Sequence, residues 1–337
     1  MRVGELFILG FRGAKIPIWL RDFAKEFGLG GVILFDYDYQ GKNYQNNILS
    51  KDLLRELCED IHSLSGRPLI FIDQEGGKVR RLKESLGFQP LPSAKEIAKL
   101  SHDTRELVLS AAFREMRELG IDCDLAPVVD LDINPENPDI GAIGRSFSAK
   151  VATVRENALA FAGAAADANV LLCLKHFPGL GGATTNSHQE LTDISDSISE
   201  EQLALFYELC PEIPGQAILI SHGMVRQWDS HLPVSMSSSA LGELRERLPD
   251  ALLISDDLQM QGLLAKLSLP EAVVQGIDAG LDMVIVGNNL RNDEANVTPV
   301  AVSLLEKVAS DPDFAAIVQR ALARVAVRKA SRATTTG

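Results

Sequence analysis

Eight short apolar runs, each followed by a longer helix-like stretch, constrain this chain more than any other feature. They occupy residues 6–9, 31–35, 69–72, 121–129, 170–174, 217–220, 251–254 and 283–286. Their residues are continuously apolar rather than alternating, as expected of strands covered on both faces in a parallel sheet. The intervening segments carry helix signals. Ser199 to Gln202 has capping-box spacing ahead of Leu203 and Leu205. Pro270 suits a first helical turn, and Gly280 follows that helix's end. Thr298-Pro299 opens a further helix, and a last amphipathic one is expected over about 315–330. Eight β-then-α units in 337 residues predict a (β/α)8 barrel, with a doubly wound open sheet as the structural alternative.

Length and charge narrow the function classes. No low-complexity linker divides the chain, so residues 1–337 are expected to form one domain: a barrel over about 5–290, C-terminal helices over 291–330 and a frayed tail at 331–337. A net charge of −13 argues against non-specific binding to nucleic acid or to an anionic membrane. No run reaches membrane-spanning length, and the start has no signal-peptide pattern. Cys58, Cys123, Cys173 and Cys210 lack metal or redox spacing and read as reduced thiols, which fits the cytoplasm. No metal or other cofactor is expected, because no ligand motif occurs. The oligomeric state is not readable.

Barrel enzymes carry their chemistry at the C-terminal ends of the strands. Here those ends are polar: Asp73 and Arg81 beyond the third run, Asp130 and Arg145 beyond the fourth, Lys175-His176 at the fifth, Ser221-His222 at the sixth, Asp256-Asp257 at the seventh and Asn288-Asn289 at the eighth. Asp256 is a candidate base, metal ligand or covalent nucleophile, with Asp257 as its rival; the ordinary alternative is that both cap the next helix. Asp73 and Arg81 suit ligand hydroxyls or a carboxylate, against a plain ion pair. Lys175 at a barrel strand end also suits a Schiff base. The stretch KHFPGLGGATTNSH, 175–188, is the richest, because its glycines let a loop move or approach a ligand closely. The competing account is an ordinary solvated polar loop.

DQEGG followed by VRRL, then IGRSF, KHFPG-x-G ending in SH, and SDDLQM occur in this order. Together they resemble the N-terminal barrel of glycoside hydrolase family 3, particularly its single-domain β-N-acetylhexosaminidase branch, which acts in peptidoglycan recycling. The resemblance implies that Asp256 is the nucleophile and His188 the acid/base, with Asp73, Arg81, Arg145, Lys175 and His176 binding the sugar. It also implies a small carbohydrate substrate. The chain departs from the family pattern at Leu180, where PGHG is usual, and at Asn186, where DSH is usual, so an Asp–His pair becomes Asn186–His188. The IGRSF motif is one residue shorter than usual.

A retaining hydrolase needs a nucleophile beneath the anomeric carbon and a proton donor at the leaving oxygen. Asp256 and a loop-borne His188 meet that need, with Asn186 able to orient the imidazole but not to supply charge. The expected reaction is removal of a terminal β-linked N-acetylhexosamine or related β-sugar. A catalytically weakened sugar-binding homologue, a β-glucosidase and a glycoside phosphorylase are the alternatives.

Overall fold

The computed structural model describes residues 1–39, 41–185, 191–290 and 296–333. Each apolar run contributes a strand: β1 (Phe7–Leu9), β2 (Gly31–Leu34) and β3 (Leu69–Ile72), then, past a small antiparallel hairpin of β4 (Gln74–Gly76) and β5 (Val79–Arg80), β6 (Cys123–Asp124), β7 (Leu171–Phe177), β8 (Ala217–Ile220), β9 (Leu252–Asp257) and β10 (Met283–Val286). Eight of them close in the order β1-β10-β9-β8-β7-β6-β3-β2, and β2 pairs back to β1. Closure replaces the open-sheet alternative with the expected (β/α)8 barrel.

Alternation along each strand divides the core in two. Ile33, Phe71, Leu125, Cys173, Leu219, Ile254 and Ile285 point inward and form one buried cluster inside the barrel. Their neighbours Val32, Ile70, Leu172, Leu174, Ile218, Leu253 and Val284 face the surrounding helices in a second, larger cluster. Because both faces are covered, the strands read as unbroken apolar runs. Each fully buried aliphatic side chain contributes on the order of 1.5–3 kcal/mol.

Two strands differ from the sequence expectation for identifiable reasons. The 121–129 run yields only Cys123–Asp124 as strand, plus a bridge from Val128 to Lys175. Pro127 supplies no N–H to a ladder, so pairing breaks there. In contrast β7 runs on to Phe177, carrying Lys175 and His176 within the strand rather than in the loop after it, with an irregularity between Leu174 and Phe177.

The helix signals are accurate. Ser199 caps Glu200–Leu209 by accepting from the Gln202 N–H. Gln202 does not complete the reciprocal box; its side chain turns inward and bonds Val129 O and Leu131 N at 3.1 and 2.8 Å. Leu269–Ala279 starts with a full Ser268–Glu271 box and ends at Gly280. Thr298–Ser310 is followed by Pro312–Ala333, the C-terminal helix, longer than expected at both ends.

That last helix lies against the N-terminal ends of the strands. Arg324, Arg328 and Arg332 recur every four residues, so they share one face. Arg324 Nε reaches Asp282 Oδ1 at 2.8 Å, Arg332 Nε reaches Asp122 Oδ1 at 3.1 Å, and Arg328 donates to the carbonyls of Gly215 and Asp250. Asp122 and Asp282 each stand one residue ahead of a strand, are fully buried, and accept a backbone N–H from Ile70 and Leu253 of the neighbouring strand. No described helix is long and apolar enough to cross a membrane.

Candidate active site

At the opposite end the strands open into a cavity of about 300 Å3. Its floor is the top layer of the barrel interior, including Ile33, Leu125, Leu219 and Ile285, and its walls carry Asp73, Glu75, Arg81, Arg145, Lys175, His176, Asp256 and Asp257. Six of the candidate positions thus come together: Asp73, Arg81, Arg145, Lys175, His176 and Asp256. The other two, Asn186 and His188, lie outside the described residues.

Local sequence places each group. Asp73 and Glu75 are two residues apart in an extended segment, so both side chains point the same way. Gly76, at φ 99°, turns the chain there, and a Cβ on it would meet Pro92 O at 2.0 Å. This DQEGG turn leads through the hairpin to Arg81, whose backbone N–H donates to Gln74 Oε1 at 2.9 Å. Lys175 and His176 are consecutive on β7, joined by a cis peptide bond.

The charges alternate along one wall. Arg81 bonds Asp73 Oδ2 at 3.0 Å and lies 3.8 Å from Asp36. Lys175 Nζ lies 2.7 Å from Asp73 Oδ1 and 2.6 Å from Glu75 Oε1. Arg145 forks onto both oxygens of Glu75 at 2.7 Å. Positive and negative groups thus alternate from Asp36 through Arg81, Asp73, Lys175 and Glu75 to Arg145. Burial alone would favour protonated carboxyls here, but Lys175 with Arg81 holds Asp73 well below its usual range, and Arg145 with Lys175 brings Glu75 down to about 2. Asp73 and Glu75 therefore stay ionised at neutral pH beside their cationic partners, an array of donors and acceptors suited to a polyhydroxyl ligand.

His176 is held on both sides. Asp130 Oδ2 takes Nδ1 at 2.7 Å and Arg145 donates to Nε2 at 2.9 Å, which fixes the tautomer with its proton on Nδ1. A sugar hydroxyl approaching Nε2 competes with Arg145. Glu75 and Asp130, which organise the cationic residues, were not among the expected site residues. The available signal was the i, i+2 spacing of Glu75 from Asp73 and the position of Asp130 just past the fourth run.

Across the mouth stands β9, four positions round the barrel from β3 and therefore diametrically opposite Asp73. Asp256 and Asp257 end this strand, and their environments differ. Asp257 Oδ1 accepts from the N–H groups of Gln259 and Gly287, bracing the turn after β9 against the end of β10. Burial pushes Asp257 up to about 7, so it is substantially protonated at neutral pH. It serves as a brace. Asp256, whose Oδ1 accepts from the Asp257 N–H at 2.8 Å, presents a carboxyl on the cavity wall.

The first part of the 175–188 stretch is closely packed. Leu180 donates from its N–H to Asp130 and its carbonyl accepts from Asn137, at 3.0 and 2.7 Å. A Cβ on Gly181 would meet Leu131 O at 1.7 Å, and one on Gly182 would meet Ser197 at 2.2 Å. These glycines permit a close approach of the backbone to its neighbours. Leu180 itself is buried and lines the cavity as an apolar group. Thr185 and Thr192, hydrogen-bonded at 2.9 Å, flank the residues outside the description.

A closed (β/α)8 barrel with a carboxylate at the end of its seventh strand, facing a polar wall of alternating charge, has the layout of a barrel glycosidase. Residues 3–326 match the Glycosyl hydrolase family 3 N terminal domain, and the chain belongs to that family. Its relatives include a β-hexosaminidase of Alkalilimnicola ehrlichii, 30% identical over 93% of this chain and 86% of that one. The β-hexosaminidase LpqI of Mycobacterium tuberculosis is 34% identical over 65% of this chain, an alignment spanning 59% of that relative, less than two thirds of its length. Among solved structures, a β-N-acetylhexosaminidase from Beutenbergia cavernae superposes with a TM-score of 0.82 at 26% identity, covering 98% of this chain and 97% of the other.

Proposed function

We propose that this glycoside hydrolase removes a terminal β-linked N-acetylhexosamine with retention of configuration, using Asp256 as nucleophile. The observation that carries the reading is Asp256 on the cavity wall opposite the clamp of Asp73, Arg81, Lys175 and Glu75. The clamp would fix the hydroxyls, so that the anomeric carbon faces β9 before reaction begins. Asp256 then attacks that carbon while a proton reaches the leaving oxygen, giving a glycosyl ester. Water, deprotonated by the same acid/base, reverses the attachment and restores the β-configuration. Resemblance to the family supports His188 as the acid/base and Asn186 as its orienting neighbour. Its relatives, named as β-hexosaminidases, support an N-acetylhexosamine rather than glucose.

The finer setting follows from the same resemblance. Cell-wall recycling supplies β-linked N-acetylhexosamine ends, and four buried free thiols suit a reducing compartment such as the cytoplasm. The barrel and C-terminal helices are read as one unit, because Arg324, Arg328 and Arg332 bind strand ends directly.

The test is incubation with a 5-fluoro glycosyl fluoride followed by peptide mass spectrometry. The label is expected on Asp256. A label on Asp257, or turnover that inverts the anomeric centre, overturns the assignment.

A further inference from the structure

Three of the chain's four tyrosines, Tyr37, Tyr39 and Tyr44, lie within eight residues of one another after β2, and the catalytic reading uses none of them. Tyr37 packs edge-on against both others, with ring centroids 5.0 Å from Tyr39 and 4.9 Å from Tyr44. Large aromatic side chains are ordinarily drawn inward. Here Tyr39 is 56% exposed and Tyr44 63%.

The cluster is anchored. Asn47 donates to the carbonyls of Phe11 and Gly13 and accepts from Phe35 N–H, and Asn46 accepts from Gly13 N–H and donates to Asn289. These bonds tie the segment after β2 to those after β1 and β10. Lys83 sits 5.3 Å from the Tyr44 ring centroid and 3.3 Å from Asp36. Tyr39 lines the same cavity as Asp256. Tyr44, Lys83 and Asp36 line a second cavity of about 290 Å3. The Asp36–Arg81 pair links the two cavities. Each is at the small end of ligand-site volumes, with room for about one sugar ring.

We infer that Tyr39 and Tyr44 form an aromatic platform for the leaving-group sugar, whose ring lies on Tyr39 and extends to the cavity beside Tyr44. This rests on the glycosidase reading above. In-line attack by Asp256 requires the leaving oxygen on the far side of the anomeric carbon, toward the segments after β3 and β2. The terminal sugar's own hydroxyls are taken up by the clamp, so any second ring continues outward over that rim. A pyranose presents a face of C–H groups, which an exposed, immobilised aromatic ring complements while the sugar's hydroxyls stay in water. The substrate class is therefore a disaccharide or longer, in preference to a glycoside of a small alcohol.

The experiment compares kcat/KM for the β-1,4-linked dimer of N-acetylglucosamine with that for β-N-acetylglucosaminyl fluoride, whose leaving group has no ring. In Tyr39→Ala and in Tyr44→Ala the dimer-to-fluoride ratio is expected to fall about tenfold, whereas Tyr39→Phe, which keeps the aromatic face, should hold it within about twofold. An unchanged ratio in both alanine variants overturns the platform, as does a drop of equal size on both substrates, which would mark damage to the catalytic pocket. If the wild type cleaves neither substrate, the glycosidase reading is what fails. Calorimetric titration with the dimer then decides the platform: about tenfold weaker binding to Tyr44→Ala supports it, and equal affinity or no binding to the wild type overturns it.

Discussion

Both ends of the barrel bury carboxylates beside arginines, but they use them differently. At the N-terminal end, Asp122 and Asp282 are sealed under the C-terminal helix, and each of their oxygens meets a protein donor, with His62, Arg245, Arg324 and Arg332 supplying the side chains. At the C-terminal end, Asp73, Glu75, Lys175 and Arg145 are equally well paired, yet they border a cavity. The first arrangement joins segments far apart in sequence. The second holds charged groups beside open space, and there pairing outweighs the burial that would otherwise favour the protonated carboxyls. Pairing by itself does not mark an active site; what marks it is pairing against open space.

The sharpest way to break this contrast is to remove one acid from each end. Asp256→Ala is expected to lower kcat by about a thousandfold or more, with little change in urea unfolding. Asp122→Ala should do the reverse: unfolding free energy falls by about 3–5 kcal/mol because Arg332 and His62 lose their buried partner, while kcat of the folded protein stays within about twofold. Comparable activity losses in both would show that the two ends are not separable.

The pH dependence of stability refines the comparison. Burial raises Asp257 at the mouth and Asp124 near it from 3.8 to about 7. Between those values the folded state holds protons that the unfolded chain has lost, so these groups make stability fall as pH rises from about 4 to about 7, and contribute no slope above that. Asp122 has the opposite sign. Burial opposes its charge, but His62 and Arg332 outweigh burial and lower its pKa, so its contribution is present above the unfolded value and is lost as pH falls. Urea midpoints for Asp257→Asn at about pH 5 and pH 8 should differ less than those of the wild type. An unchanged difference would remove Asp257 from this account.

The smallest effect is expected at Asn186. Replacing it with Asp should stabilise the His188 imidazolium, move the basic limb of kcat/KM to higher pH and raise rates about 3–10-fold on glycosides with poor leaving groups, with less gain on activated aryl glycosides. Equal gains on both substrates would mean that His188 is not the proton donor.

The barrel was legible because its physics is repetitive. Strands buried on both faces must be apolar throughout, and Pro270 and Gly280 mark a helix by local chemistry alone. Barrel topology gathers the strand ends, and the family resemblance singled out Asp73, Arg81, Arg145, Lys175, His176 and Asp256 among them. The resemblance implied roles for them, but which neighbours hold each group was not legible. Asp256 and Asp257 are neighbours of one residue type, and the N–H groups of Gln259 and Gly287 on Asp257 mark it as the brace of the turn. The glycines of the 175–188 stretch left open a moving loop or a close approach, and the contacts that a Cβ would make with Leu131 and Ser197 put Gly181 and Gly182 at close backbone approaches. Sequence by itself determined the order of strands and helices, since periodicity and capping act over a few residues, whereas closure into a barrel rather than an open sheet was decided by long-range strand pairing. Tertiary structure decided which charges pair and which face the cavity, because partners such as Glu75 and Arg145, or Asp122 and Arg332, are far apart in the chain and meet only when the barrel closes.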